Sequence, residues 1–123
     1  MTKFNYRNSS YVVMEDASLE RAMEAITLNQ RGAVAVVNNK GMLMGILSDG
    51  DIRRTLLRGA TLIAPVSKLI NLNVISLSGK DDIKRLSEEI FGTNTAVNLI
   101  PVVDSKNNVI DIIVRSPSTR KEL

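Results

Sequence analysis

MLMGILSDGDIRRTLLR, residues Met42–Arg58, joins an apolar strand to a helix with no spacer between them. Leu43–Leu47 is the strand, and Ser48-Asp49-Gly50-Asp51 opens the helix. A junction of this kind leaves backbone N–H groups without intrahelical partners at the positive end of the helix dipole, which suits an anion or a phosphate. Asp51 adds two acceptor oxygens that match a pair of vicinal hydroxyls on a ribose, and Arg53, Arg54 and Arg58 follow closely. A small ligand carrying sugar hydroxyls and a phosphate fits this set. Ser48-x-x-Asp51 is also the spacing of a capping box, in which both side chains serve only the helix start. The residues by themselves leave the two roles open.

Upstream, Ala33–Val37 is a β-branched run, and Asn38-Asn39-Lys40-Gly41 supplies the turn that makes it a hairpin with Leu43–Leu47. Before it, Tyr11–Met14 is a short apolar segment and Asp16 is placed to cap a helix. Leu19, Ala22, Met23 and Ile26 form one apolar stripe of that helix, with Gly32 as the stop. Downstream, the helix from Asp49 turns Ile52, Leu56 and Leu57 inward and ends at Gly59.

From Pro65 the order begins again. Val66–Ile70 reads as a helical turn, and Asn73–Leu77 parallels Tyr11–Met14. A helix starting at Ser78 carries Ile83, Leu86, Ile90 and Phe91 on one face and stops at Gly92. Leu99–Val103 and Val109–Val114 are the strands of a second hairpin around Asp104–Asn108. Ala35-Val36-Val37-Asn38 aligns with Pro101-Val102-Val103-Asp104, and the match runs without a gap to Leu47 against Ile113. The chain is therefore a duplicated β-α-β-β-α unit whose second copy lacks its last helix. Its expected divisions are a flexible segment over 1–10, repeat 1 over 11–64, repeat 2 over 65–115 and a tail over 116–123. The expected class is α+β, each repeat a small sheet with helices packed on one face. Half a chain is too small to bury a good core alone, so the copies should pack about a pseudo-twofold axis.

Composition narrows the function. The 123 residues contain no cysteine, which argues against disulfides and for a cytoplasmic setting, and no histidine, which removes the commonest general base and metal ligand. No apolar run approaches the roughly 18–20 residues needed to cross a bilayer, and no charged-then-apolar leader is present. A net charge of +3 permits an anionic ligand. Two Phe, two Tyr and no Trp leave little surface for stacking bases, which argues against nucleic acid. An enzyme acting on sugar phosphates is the poorest reading, since a Gly-rich phosphate loop and a metal cluster are both missing.

A tandem β-α-β-β-α unit whose second hairpin strand runs into G-h-x-S-x-x-D resembles the CBS domain, named for cystathionine β-synthase. Gly45-Ile46-Leu47-Ser48-Asp49-Gly50-Asp51 matches that motif at each defining position, and PVSKLINLNVISLS at Pro65–Ser78 resembles the usual bridge into a second CBS unit. The resemblance covers about Tyr11 to Arg115. SDGDIRRTLLRG is most similar to CBS pairs fused to bacterial sugar-phosphate nucleotidyltransferases and to arabinose-5-phosphate isomerases.

The resemblance implies a regulatory pair with no reaction of its own. It would sense an adenosine-type nucleotide such as AMP or ATP and control a catalytic domain in the same or another chain. It also implies self-association as a homodimer, and the alternative is an assembly module that binds nothing. The family pocket lies between repeats. Carried over, Ser48 meets a phosphate or ribose, Asp51 holds the ribose hydroxyls, Asp49 and Arg54 flank them, and Val74, Ile75, Asn98, Leu99 and Ile100 wall the base. In the second copy Gly45, Ser48 and Asp51 become Asp111, Val114 and Pro117, so at most one intact nucleoside site is expected. Arg115, Arg120 and Lys121 remain as cations that could attract an anion there.

Overall fold

The computed structural model describes residues 4–116. Strand β1 (Val12–Met14) leads to helix α1 (Leu19–Asn29), then to strands β2 (Ala33–Val37) and β3 (Leu43–Ser48) and helix α2 (Asp49–Leu57). After a 3-10 turn at Val66–Lys68 come β4 (Leu77–Ser78), α3 (Ile83–Thr93), β5 (Leu99–Val103) and β6 (Val109–Val114). The strands form two three-stranded sheets, β1-β2-β3 and β4-β5-β6. In each, the first pair is parallel and the second antiparallel.

The duplication holds pair by pair. Ala33 faces Ser48 and Val34 faces Leu47, just as Leu99 faces Val114 and Ile100 faces Ile113. Both hairpins shift register at the same place, between Val36 and Val37 and between Val102 and Val103. Their turns also agree: Asn38 Oδ1 accepts from the N–H groups of Lys40 and Met42, and Asp104 Oδ1 from those of Lys106 and Asn108. In each turn one side-chain oxygen satisfies two backbone donors, a local reason for the sharp reversal.

Alternation along the strands splits the core. Val34, Val36 and Leu47 point to α1 and α2 and pack with Leu19, Ala22, Ile26 and Ile52. Ile100 and Val102 point to α3, with Leu77, Ile83, Leu86 and Ile90. The opposite faces meet between the repeats, where Val12, Ala35, Val37, Leu99 and Val109 form one buried cluster. The hairpin tips are stitched as well: Leu43 N–H donates to the Asn107 carbonyl at 2.9 Å and Val109 N–H to the Gly41 carbonyl at 2.9 Å.

Several local expectations are corrected. Ser18, not Asp16, caps α1, its hydroxyl accepting from Arg21 N–H at 3.1 Å. The start is fixed from outside the helix, because Leu19 and Glu20 donate to the carbonyls of Ala64 and Leu62. Gln30, with φ of 57°, ends α1, ahead of Gly32. Met23 is 36% exposed, and Ala25 takes the buried place on the stripe. Leu57 lies outward at the end of α2, 82% exposed. Ser78 belongs to β4, so α3 begins later, with Asp82 as its cap, and Gly92 lies within that helix. Ahead of β1, residues 4–10 include a 3-10 turn at Tyr6–Asn8. Phe4 and Tyr6 pack against the inter-repeat cluster.

Candidate functional site

The junction of β3 and α2 delivers Ser48 and Asp51 to the side of the molecule where the two repeats meet. The capping box forms in full: Ser48 Oγ accepts from Asp51 N–H at 3.1 Å, and Ser48 N–H donates to Asp51 Oδ2 at 3.2 Å. Arg54 Nη2 donates to the other oxygen, Oδ1, at 2.6 Å. Burial pushes the Asp51 carboxyl up, but hydrogen bonds from the Ser48 side chain and backbone and the Arg54 guanidinium outweigh it. The group is held below its ordinary value and is ionised at neutral pH. A carboxylate offers about four lone-pair sites, and the Ser48 backbone, the Ser48 side chain and Arg54 engage three of them. Capping the helix therefore still leaves some acceptor capacity on the carboxylate.

Ser48 and Asp51 line a cavity of about 240 Å³ between the repeats. The first repeat contributes Ala33, Ile46, Ser48 and Asp51, and the second contributes Ala96, Val97, Asn98 and Leu99. The connecting segment closes one side with Asn71, Asn73, Val74 and Ile75. That segment is held against β3 by two backbone bonds, Ile46 N–H to the Asn71 carbonyl at 3.1 Å and Asn71 N–H to the Ile46 carbonyl at 2.9 Å. Gly45 makes this possible. A Cβ there would stand 2.8 Å from the Asn71 carbonyl oxygen and 3.1 Å from Ile70 Cβ.

Of the residues named from the sequence, Ser48, Asp51, Val74, Ile75, Asn98 and Leu99 lie on the cavity wall. Asp49, Arg54 and Ile100 do not. Asp49 is exposed and pairs with Arg53 at 3.7 Å, while Arg54 reaches the site only through Asp51. Ile100 is fully buried under α3, because neighbouring residues of a strand face opposite sides and Leu99 already faces the cavity. Ala33, Ile46, Asn71, Asn73, Ala96 and Val97 were not anticipated. The first two lie on the strands of the first hairpin and the other four on a linker and a turn, where only the spacing between the two repeats could have pointed to them.

The pseudo-symmetric location is different. Asp111 is exposed, with Oδ1 accepting from Ile112 N–H at 2.8 Å, and Val114 has no hydroxyl. Pro117, Arg120 and Lys121 lie outside the described residues. Arg115, read from the sequence as a cation for an anion, is committed instead to protein oxygens. Its guanidinium donates to the carbonyls of Phe91, Asn94 and Val97 and to Asn98 Oδ1.

Comparison with known proteins follows the same geometry. Residues 6–58 match the CBS domain family. The arabinose 5-phosphate isomerase GutQ of Salmonella typhi is 30% identical over 101 residues, which is 82% of this chain and 31% of the isomerase. The chain thus spans about 31% of the length of the first curated relatives it matches. Among solved structures, the CBS domain protein PAE2072 from Pyrobaculum aerophilum, complexed with AMP, superposes with a TM-score of 0.66 at 15% identity, covering 84% of this chain and 78% of that one. CbpB in complex with c-di-AMP gives 0.68 at 16% identity, over 85% and 70% of the two chains. At these identities the likeness is one of fold.

Proposed function

Because residues 6–58 match the CBS domain family and the chain as a whole has the fold of a CBS pair, we propose that it is a regulatory module that senses an adenosine-type nucleotide in the cleft at Ser48 and Asp51. The observation that carries this reading is the composition of the cleft. An ionised carboxylate with spare acceptor capacity and a serine at a helix N-terminus stand at one end. Val74, Ile75, Val97 and Leu99 supply apolar walls for a base, and Asn71, Asn73 and Asn98 supply amides for its edge. A cavity of about 240 Å³ lies just under the roughly 300–1,000 Å³ of typical small-molecule sites, so it suits one nucleoside with its phosphate toward the mouth. AMP and c-di-AMP in two proteins of the same fold support the adenine assignment.

The module has no reaction of its own and acts on a catalytic domain in the same or another chain, a sugar-phosphate isomerase or nucleotidyltransferase. Similarity to GutQ supports the isomerase. No helix among the described residues is long and apolar enough to cross a membrane, and we place the module in the cytoplasm. A ligand-free assembly role is the second reading, favoured by Leu28, Leu57 and Ile63, which are 71%, 82% and 81% exposed.

A thermal-shift series with AMP, ATP, c-di-AMP, S-adenosylmethionine and sugar nucleotides separates the two. A ligand at about 100 times its dissociation constant adds roughly 2.7 kcal/mol of stability. An adenine nucleotide is expected to raise the melting temperature saturably. No shift with any member of the series, in folded protein, overturns the sensor reading in favour of assembly.

A further inference from the structure

Arg115 follows the last residue of β6, and its side chain is spent on one loop. Nε donates to Asn98 Oδ1 at 3.0 Å, Nη1 to the Phe91 carbonyl at 2.8 Å, and Nη2 to the carbonyls of Asn94 and Val97 at 2.9 and 2.7 Å. Its backbone N–H donates to the Asn98 carbonyl at 2.9 Å, and the guanidinium carbon sits 4.9 Å from the centre of the Phe91 ring. The segment it grips runs from the last turn of α3 to the start of β5. Ala96, Val97, Asn98 and Leu99 on that segment are the second repeat's share of the cleft wall.

The counterpart in the first repeat shows what is added. Asp49 N–H donates to the Gly32 carbonyl at 2.8 Å, the same backbone bond, but the Asp49 side chain turns to solvent and Arg53. In the first repeat the loop before β2 is held instead by buried Asn29, whose Nδ2 donates to the Ser10 and Ala33 carbonyls, so the fork from the strand–helix junction belongs to the second wall. The guanidinium also orients the Asn98 amide: arginine has donors and no acceptor, so the amide oxygen must face it. The NH₂ of Asn98 is then the end left for a ligand.

We propose that Arg115 is the positioning residue of the cleft, fixing the Asn94–Leu99 wall and presenting the Asn98 NH₂ to an acceptor atom on the ligand. The proposal rests on the nucleotide reading for its ligand and on the hydrogen-bond fork for its structure, so two measurements are needed. The variants are Arg115→Ala and Arg115→Lys. Lysine keeps the charge and the aliphatic stem, which protects the fold, but cannot reproduce the planar fork.

Amide hydrogen exchange without ligand is expected to accelerate about tenfold or more over Asn94–Leu99 in both variants, with β2 and β3 unchanged. Calorimetric titration with AMP is expected to show affinity reduced roughly tenfold in both. Wild-type exchange in Arg115→Ala overturns the proposal whether or not AMP binds. Faster exchange with undiminished AMP affinity overturns the positioning role. Affinity restored by lysine overturns it too, since that marks simple attraction of an anion by charge. If the wild type binds no AMP, the presentation of Asn98 to AMP falls, the nucleotide reading is left to the full thermal-shift series, and the exchange result still decides whether Arg115 is the clamp.

Discussion

At the scale of single residues, Asp51 carries two duties that can be separated by substitution. As a ligand group it would make charge-assisted hydrogen bonds to ribose hydroxyls, each about 1.5–3 kcal/mol, so Asp51→Ala and Asp51→Asn should both lose at least about tenfold in nucleotide affinity. As a cap it contributes less, since Ser48 still caps α2, and Asp51→Asn should change the stability of the free protein by about 1 kcal/mol or less. Calorimetry on the three proteins at one salt concentration checks this, and equal affinities remove Asp51 from the site. Its lowered pKa adds a pH dependence. A depressed carboxyl contributes stability that is fully present above its unfolded value of about 3.9 and is lost as pH falls through the lower folded value. Acid unfolding of Asp51→Asn should therefore be shallower below pH 4 than that of the wild type. Ser48 and Asp51 were legible because a motif on one strand–helix junction places both. Asn71 and Val97 were not, since nothing local marks a linker residue as part of a wall built by the other half of the chain.

At the scale of elements, the hairpin strands were legible to within a residue, as was the start of α2, and the starts of α1 and α3 were not. Strand period and turn chemistry agree on Leu99–Val103 and Val109–Val114, and the structure has those limits. Around α1 both Asp16 and Ser18 offer a capping oxygen, and around α3 Ser78 and Asp82 do. The choice is made by distant partners: Ala64 and Leu62 hold the start of α1, and Val103 binds Gly79 N–H and keeps Ser78 in β4. Gly45 shows the same long reach. It reads as part of a nucleotide motif, yet its lack of a side chain is what lets the Ile70–Asn71 linker lie on β3. Gly45→Ala should cost about 1–3 kcal/mol through overpacking, measured by denaturant unfolding, and should weaken nucleotide binding because Asn71 lines the cleft. A near-neutral stability change would show that the linker yields easily and that Gly45 has another purpose.

At the scale of the whole molecule, duplication explains both the core and the asymmetry. Two copies of one unit meet through Val12, Ala35, Val37, Leu99 and Val109, so each closes the face the other leaves open. Divergence from the last residue of β6 onward then spoils one of the two junctions: Val114 stands where Ser48 stands, and Arg115 where Asp49 does. What the pairing does not cover is the outer side of the first repeat. Met23, Leu28 and Leu62 line a surface groove of about 590 Å³ with Glu20, Arg21 and Glu24. Apolar surface rimmed by charge is the usual mark of an interaction site. A twofold contact uses the same patch on both copies, which would bring Glu20 and Glu24 of one toward Arg21 of the other. The expected state is a homodimer through these helices. Light scattering from micromolar to millimolar concentration should give twice the 13.5 kDa chain mass, and Leu28→Lys should return it to one. A monomer across that whole range rules the dimer out. A dimer untouched by Leu28→Lys places the contact elsewhere on the surface.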